Sequence, residues 1–150
     1  MIRLLLSLSV IACVAGRAQA PVVSVPASGP APAQNWVLPI FTDKEGFRSM
    51  TLRGSEVRPS TNGKSIAVTN LNITIFSGDE KAQVDSVLLS PTALFQPKEN
   101  LASGENLVRF IRDDIEVTGT GWTYDHKTKK ISLQHNVRVT FKSELKDILK

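Results

Sequence analysis

Two groups of acidic residues are the first candidates for chemistry in this sequence of 150 residues. Asp113, Asp114 and Glu116 stand close enough to bind a hard cation together, or to shift each other's pKa for acid/base work. The alternative is a solvated strand end, and we favour it because the residues interrupt a strand pattern. The same interpretation applies to a second group, which surrounds a typical turn glycine: Asp79, Glu80 and Asp85.

The two histidines do not predict an active site. His126 lies in a predicted hairpin turn, where we expect it to be exposed, and His135 lies at a strand junction. Their spacing matches neither His-x-His nor His-x-x-x-His, the usual metal-ligand spacings. The sequence also has no Gly-x-Ser-x-Gly elbow for a nucleophilic serine. We therefore expect a protein that is not an enzyme and holds no metal or cofactor.

Two aromatic residues, Trp122 and Tyr124, stand two positions apart and so share one face of a strand. One interpretation places them in the core or at the rim of a sheet, where large aromatic side chains commonly pack. The other places them along a groove that holds an apolar ligand. The sequence leaves both interpretations open.

The stretch from Val117 to Phe141 has to position these aromatic residues. It reads as two strands joined by the charged turn Asp125–Lys130, followed by a third strand at Val137–Phe141. In the third strand Val137, Val139 and Phe141 alternate with polar residues, which is typical of a sheet with one buried and one wet face. Such an antiparallel surface is suited to shielding something apolar.

The rest of the chain also predicts strands. They cover Arg48–Val57, Ser65–Phe76, Val84–Phe95 and Leu107–Ile111, with turn residues between them. The apolar alternation in Ser65–Phe76 changes phase, and we expect a bulge near Asn70 to absorb the change. Short antiparallel strands in this order indicate an all-β barrel, sandwich or jelly roll.

The sequence divides into four segments. Residues 1–20 have a basic start, an apolar run and a small-x-small ending, as in a secretory signal peptide. Residues 21–35 are rich in proline and alanine and predict an extended linker. Residues 36–142 form the folded domain, and residues 143–150 are a tail whose apolar spacing would suit a short helix.

Composition excludes several classes of function. Loss of the signal peptide removes Cys13, the single cysteine, so neither disulfides nor thiolate chemistry would remain. The same cleavage lowers the formal net charge from +4 by two, since Arg3 and Arg17 leave with it. A charge this small, with no basic block, argues against nucleic acid as a partner.

Several motifs in this order resemble the lipopolysaccharide-export family of LptC and LptA, the OstA-like proteins of the Gram-negative envelope. They are Val87–Ala93 (VLLSPTA), Gly119–Asp125 (GTGWTYD), Lys130–Leu133 (KISL) and Asn136–Phe141 (NVRVTF). The resemblance rests on the order of these motifs: glycine, an aromatic residue, tyrosine-aspartate, a strand, and asparagine-valine. It extends from about Phe41 to Phe141.

The resemblance implies an open, twisted, antiparallel β-jelly roll in the periplasm that binds and transfers lipopolysaccharide. Its partners would be the inner-membrane lipopolysaccharide ABC transporter and a periplasmic LptA-like jelly-roll protein. The last strand, Val137–Arg138–Val139–Thr140–Phe141, would be the edge that pairs with the next jelly roll. The candidate groove residues for the lipid are Ile73, Ile75, Phe110, Val117, Trp122, Tyr124, Ile131, Leu133, Val137, Val139 and Phe141.

Three alternatives remain open at this level. LptC proteins usually carry an N-terminal transmembrane helix, whereas this sequence begins with a cleavable-looking signal. The chain would then be an LptC-like protein held by its partners, a soluble LptA-like bridge, or a lipoprotein acylated at Cys13 and associated with the inner membrane. A structural envelope protein that assembles through its edge strands without binding lipid is the competing function.

The mature N-terminus separates cleavage from acylation. We expect intact-mass spectrometry of the exported protein to show a chain that begins after Ala18 or Ala20 and carries no lipid. A mass that retains Cys13 with attached acyl chains would contradict this expectation and favour the lipoprotein.

Overall fold

The computed structural model describes residues 30–142, which form eight β-strands and no helix. The predicted signal peptide with Cys13, most of the predicted linker and the tail at 143–150 lie outside these residues. The strands are β1 (Ala33–Phe41), β2 (Arg48–Pro59), β3 (Ile66–Phe76), β4 (Val84–Gln96), β5 (Leu101–Gly104), β6 (Val108–Arg112), β7 (Ile115–Asp125) and β8 (Lys130–Phe141).

All of these strands pair antiparallel in one sheet. β1 to β4 follow each other across it, and β4 then pairs with β5 through one half and with β6 through the other. β7 pairs with both short strands in the same way and carries β8 on its far side. Within residues 30–142, β1 pairs only with β2 and β8 only with β7, so these two strands are the sheet edges.

A line of unusual backbone conformation crosses the sheet at mid-strand. Asn35, Asn70, Gly121 and Asn136 all have φ between 51° and 62°, the left-handed region that Gly and Asn tolerate best. The residue pairs just before and just after these positions align Asn35, Ser55, Asn70 and Pro91 across β1 to β4. We call this row, which continues through Gly121 and Asn136, the kink line.

At the kink line the inward-pointing residues of a strand change from one parity to the other. In β3, Val68 and Leu71 are both 2% exposed although they stand three positions apart, which regular alternation forbids. Ser90 and Ala93 repeat this spacing in β4. Both halves of each strand therefore send apolar side chains into the same core, whose largest members are Trp122, Tyr124, Phe95, Met50, Leu52, Leu71, Ile73 and Leu88.

The all-β antiparallel prediction is confirmed, and the arrangement is that of a β-jelly roll. The bulge predicted near Asn70 is wrong in form, because the pairing register of β3 is the same on both sides of Asn70. The neighbouring strands change phase together with β3, so no extra residue has to be accommodated.

Two strand predictions also need correction. Lys130–Phe141 is one continuous strand, not two, because Asn136 at φ 53° bends the chain without ending the ladder. β5 was expected to be loop, since its four residues lie between two turn motifs and are too few to display a period. β1 starts at Ala33, three residues before the expected start of the domain.

The kink line predicts a matched pair of substitutions at Asn70. Asn70→Val should lower the free energy of unfolding by about 1–2 kcal/mol, because a β-branched residue is strained at positive φ. Asn70→Gly removes that strain and should stay within about 0.5 kcal/mol of the parent. Chemical denaturation measures both, and equal losses for the two variants would contradict the assigned role of φ.

Candidate functional site

One row of apolar side chains crosses the whole inner face of the sheet. Directly paired residues in an antiparallel sheet point to the same side, and the core places this side inward. The pairing registers give the row, here called the inner row, as Leu38, Leu52, Ile73, Leu88, Phe110, Val117 and Val139.

Burial along the inner row is uneven. Leu52, Ile73 and Leu88 in the middle are 0% exposed, while Phe110 and Val117 are half-buried and Val139 on β8 is 50% exposed. The row is thus sealed at its centre and increasingly open toward β8. The Val139 side chain, on the inner face, is thus only half covered by protein.

The two neighbouring rows open in the same direction. In one of them Phe141 follows the half-buried Ile115, and along β8 Val137 has the same parity as Val139 and Phe141. Val137 is 52% exposed and Phe141 is 64% exposed. The inner face of β8 therefore presents three exposed apolar side chains, Val137, Val139 and Phe141, which we call the β8 apolar strip.

The predicted groove residues consequently fall into three groups. The sealed core holds Ile73, Ile75, Trp122 and Tyr124. Half-buried positions on the inner face are held by Phe110, Val117, Ile131 and Leu133. The exposed group is the β8 apolar strip.

Trp122 is packed so closely that it leaves no room beside β5. A Cβ atom on Gly104 would come within 2.8 Å of Trp122 Nε1 and 2.9 Å of the Thr92 carbonyl oxygen. The buried indole N–H of Trp122 finds no hydrogen-bond partner among residues 30–142. Of the two interpretations of Trp122 and Tyr124, the structure supports the core position, with 2% exposure for each.

Backbone directions complete the geometry of β8. Lys142 N–H donates to the Asp114 carbonyl oxygen over 2.7 Å, so Lys142 points its backbone groups toward β7. N–H and C=O groups of alternate residues point to opposite sides of an antiparallel strand. Val139 and Phe141 therefore direct their backbone N–H and C=O groups outward, to the free edge.

Several of the acidic residues form ion pairs or turn contacts. On the outer face, Glu116 accepts from Arg109 Nε at 2.8 Å and lies 3.2 Å from Lys142 Nζ. Hydrogen bonds from these two cations hold the pKa of Glu116 below its ordinary value. Asp85 pairs with Arg112, and Asp79 caps its own turn. Residues 30–142 contain no group of three side chains suited to a metal.

His126 differs from expectation, because it is half-buried rather than exposed. Its Nδ1 lies 3.0 Å from the Tyr124 hydroxyl, and its Nε2 lies 3.2 Å from Ser49 Oγ. Burial lowers the pKa of His126, with Lys129 adding to the effect and Asp125 opposing it. Burial likewise raises the pKa of Tyr124. His135 lies in β8 and is exposed, as its position at a predicted strand junction allows.

Several cavities accompany these surfaces. One of about 400 Å³ lies at the kink line near Leu107 and contains none of the predicted site residues. A smaller one of about 140 Å³ is lined by Ile75, Phe110 and Tyr124 together with the Asp85–Arg112 pair. A third, about 350 Å³, lies between the His126 turn and the end of β1.

Sequence reasoning missed the other open end of the inner face. Trp36, Leu38 and Ile40 on β1 are half-buried and pack against the core. Their alternation was available as a signal. Two features made it hard to recognise. Val37 and Phe41, which neighbour these residues, are also apolar, and Pro39 argues against a strand. Proline is nevertheless tolerated at a sheet edge.

The comparisons with known proteins agree with this geometry. Residues 40–142 match the family described as "Lipopolysaccharide-assembly, LptC-related". A comparison with curated proteins finds no significant match. Among the described residues, no helix is long and apolar enough to cross a membrane. The match covers well over half of the chain and supports an envelope-associated, non-enzymatic role in lipopolysaccharide transport, and the chain belongs to the LptC-related family of lipopolysaccharide-assembly proteins.

Proposed function

We propose that this protein binds lipopolysaccharide in the periplasm and passes it from the inner-membrane transporter to the next jelly-roll module. The observation that carries the proposal is the exposed β8 apolar strip at the open end of the inner row. Exposed apolar side chains on an inward face are costly unless they meet a ligand or partner.

Acyl chains fit this surface chemically. Removing hydrocarbon from water is worth about 0.8 kcal/mol for each buried methylene group. The strip, with Phe110 and Val117 beside it, offers only apolar atoms at consecutive inner positions. We assign the acyl chains to these five residues first. Ile131 and Leu133 extend the same face on the other side of the kink line.

The sealed members of the predicted groove have a supporting role in this proposal. Ile73, Ile75, Trp122 and Tyr124 are already covered by the protein's own side chains. They form the packed core against which the half-buried residues lie. An acyl chain lying on Phe110 and Val117 would thus rest on a rigid support and would not have to displace the core.

Charged groups lie on the opposite side of the same strands. Arg109, Glu116 and Lys142 form their ion pairs on the outer face, beside Thr140 and Arg138. This separation keeps these three ions away from the row of Phe110, Val117 and Val139, where an unpaired charge would be costly. It also leaves the outer face well solvated. Asp85 and Arg112, which border Phe110, pair with each other.

We assign the direction of transfer by analogy with the family. The β8 edge, Val137–Phe141, would pair with an LptA-like periplasmic jelly roll, and the β1 side would face the inner-membrane transporter. Outward backbone groups on Val139 and Phe141 support strand addition at β8. The export signal at residues 1–20 would bring the chain to this location, and the periplasmic position belongs to the proposal.

A structural envelope protein is the second candidate, and the free edges favour it as much as they favour transport. It would use β1 and β8 for assembly and leave the β8 apolar strip for protein contacts alone. A soluble LptA-like bridge would use the same two edges and also bind lipid. Contact with lipid therefore separates the structural role from both transport roles.

Photo-crosslinking tests contact with lipid. A benzoylphenylalanine at Val139 should form adducts with lipopolysaccharide in cells, because this side chain lies exposed on the inner face. The matched control is Arg138, the adjacent residue on the outer face, which should give few or none. Adducts are detected by mobility shift and by immunoblotting for lipopolysaccharide.

The crosslink has two outcomes that contradict the transport proposal. Complete absence of lipid adducts at Val139 in a folded protein that still engages its membrane partners would favour the structural role. Equal adducts at Val139 and Arg138 would mean that the inner face is not the binding surface.

Proline at position 139 tests the edge. Because Val139 N–H points outward, Val139→Pro should leave pairing with β7 intact and block strand addition, which needs that donor. We expect loss of co-purification with the neighbouring export proteins while the circular dichroism spectrum is retained. Val139→Ala keeps the N–H group and should retain co-purification. Unchanged co-purification of the proline variant would show the edge model to be wrong.

A further inference from the structure

A chain of hydrogen bonds joins the end of β7 to edge strand β1. It runs from the Tyr124 hydroxyl to His126 Nδ1 over 3.0 Å, and from His126 Nε2 to Ser49 Oγ over 3.2 Å. Ser49 Oγ then donates to the Ile40 carbonyl oxygen over 3.1 Å. Tyr124 and Ser49 are both buried, at 2% and 8% exposure.

Only one assignment of protons satisfies all three hydrogen bonds. Ser49 donates its single hydroxyl proton to the Ile40 carbonyl oxygen. The Ser49 oxygen must therefore accept from His126, so Nε2 carries a proton. In the neutral imidazole Nδ1 is then the acceptor, and the Tyr124 hydroxyl donates a hydrogen bond to it. Each donor therefore meets an acceptor only while His126 is neutral.

The surroundings hold His126 in place. Its backbone N–H donates to the Asn100 carbonyl oxygen over 3.1 Å, which fixes the turn against the β4–β5 connection. Its ring therefore spans the gap between β7 and β2. The cavity of about 350 Å³ opens directly beside it.

The charges around the ring come from several elements. Its own turn contributes Asp125, Lys127 and Lys129, and the Asp125 carboxylate is already engaged by the N–H groups of Lys127 and Thr128. The β1–β2 turn contributes Asp43. On the Tyr124 side, β4 and β6 contribute the paired Asp85 and Arg112. The nearest other polar groups are Ser49, Ser77 and Asn100.

We propose that the Tyr124–His126–Ser49 chain is a proton-sensitive clasp, which holds edge strand β1 to β7 and loosens when His126 gains a proton. Protonation places an N–H on Nδ1, opposite the Tyr124 hydroxyl that was donating to it. The hydroxyl then has to turn away inside a buried site, or the ring has to leave for solvent. When the ring leaves, its hydrogen bond to Ser49 is broken, and the Ile40 end of β1 loses its link to β7 through Ser49.

The direction of the pH dependence follows from the lowered pKa of His126. A folded-state pKa below the ordinary value means that the unfolded chain binds the proton more tightly. The clasp therefore contributes its full stability above the ordinary imidazole pKa, and this contribution falls as pH drops through the folded-state pKa. The chain's other described histidine, the exposed His135, lacks these contacts.

Hydrogen exchange of the full mature chain tests the clasp. Protection factors of the β1 amides near Ile40 should fall about threefold to tenfold between pH 7.5 and pH 5, the range expected for loss of one hydrogen bond. His126→Gln should show little pH dependence, because glutamine does not titrate. His135→Gln is the matched control and should behave as the parent. Equal pH dependence in the parent and in the His126→Gln variant would overturn the proposal.

A second measurement remains valid if the His126 variant folds poorly. In the parent, an NMR titration should place the pKa of His126 below the ordinary imidazole value. Tyr124→Phe removes only the hydroxyl and should raise the pKa of His126, because neutral imidazole loses its donor. An unchanged pKa in that variant would mean that the hydroxyl does not hold the neutral form, and the clasp would be rejected.

Discussion

The backbone at the kink line is the constraint on which the rest of this structure depends. A straight strand can bury only alternate residues, and one sheet of such strands would have a single apolar face with nothing to cover it. Asn70 and Gly121 adopt positive φ at aligned positions, so each strand turns its second half to face the first. One sheet thus supplies both walls of its own core, which reaches 0% exposure at Leu52 and Ile73.

This way of building a core leaves the two edge strands incompletely covered. Central strands have neighbours on both sides and a facing half-sheet above them, whereas β1 and β8 have one neighbour each among the described strands. The side chains on their inner faces are therefore only partly enclosed. Trp36 on β1 is half-buried, and Phe141 on β8 is 64% exposed. The partly exposed apolar side chains at the two edges are thus a consequence of the fold.

The sequence revealed the fold more completely than the site. Alternation marked the long strands, and the phase change near Asn70 was visible because Val68 and Leu71 are both apolar. The alignment of Asn70 with Gly121 and Asn136 was not predictable, since it depends on long-range pairing. For the same reason Ile73 and Val139 looked equivalent in the sequence. They lie in the same row of the sheet, but Ile73 is 0% exposed and Val139 is 50% exposed. The contact of His126 with Ser49 joins residues 77 positions apart and left no local signal.

The β8 apolar strip combines two geometric features. Val139 and Phe141 direct their side chains inward and their backbone N–H and C=O groups to the free edge. A strand added to this edge would place each directly opposite side chain on the same face, because pairing in an antiparallel or parallel ladder preserves the face. The inner row would then continue into the partner without a gap. In the proposed function, strand pairing and lipid passage would therefore be coupled by geometry, since the contacts that join two jelly rolls would also extend the apolar path between them.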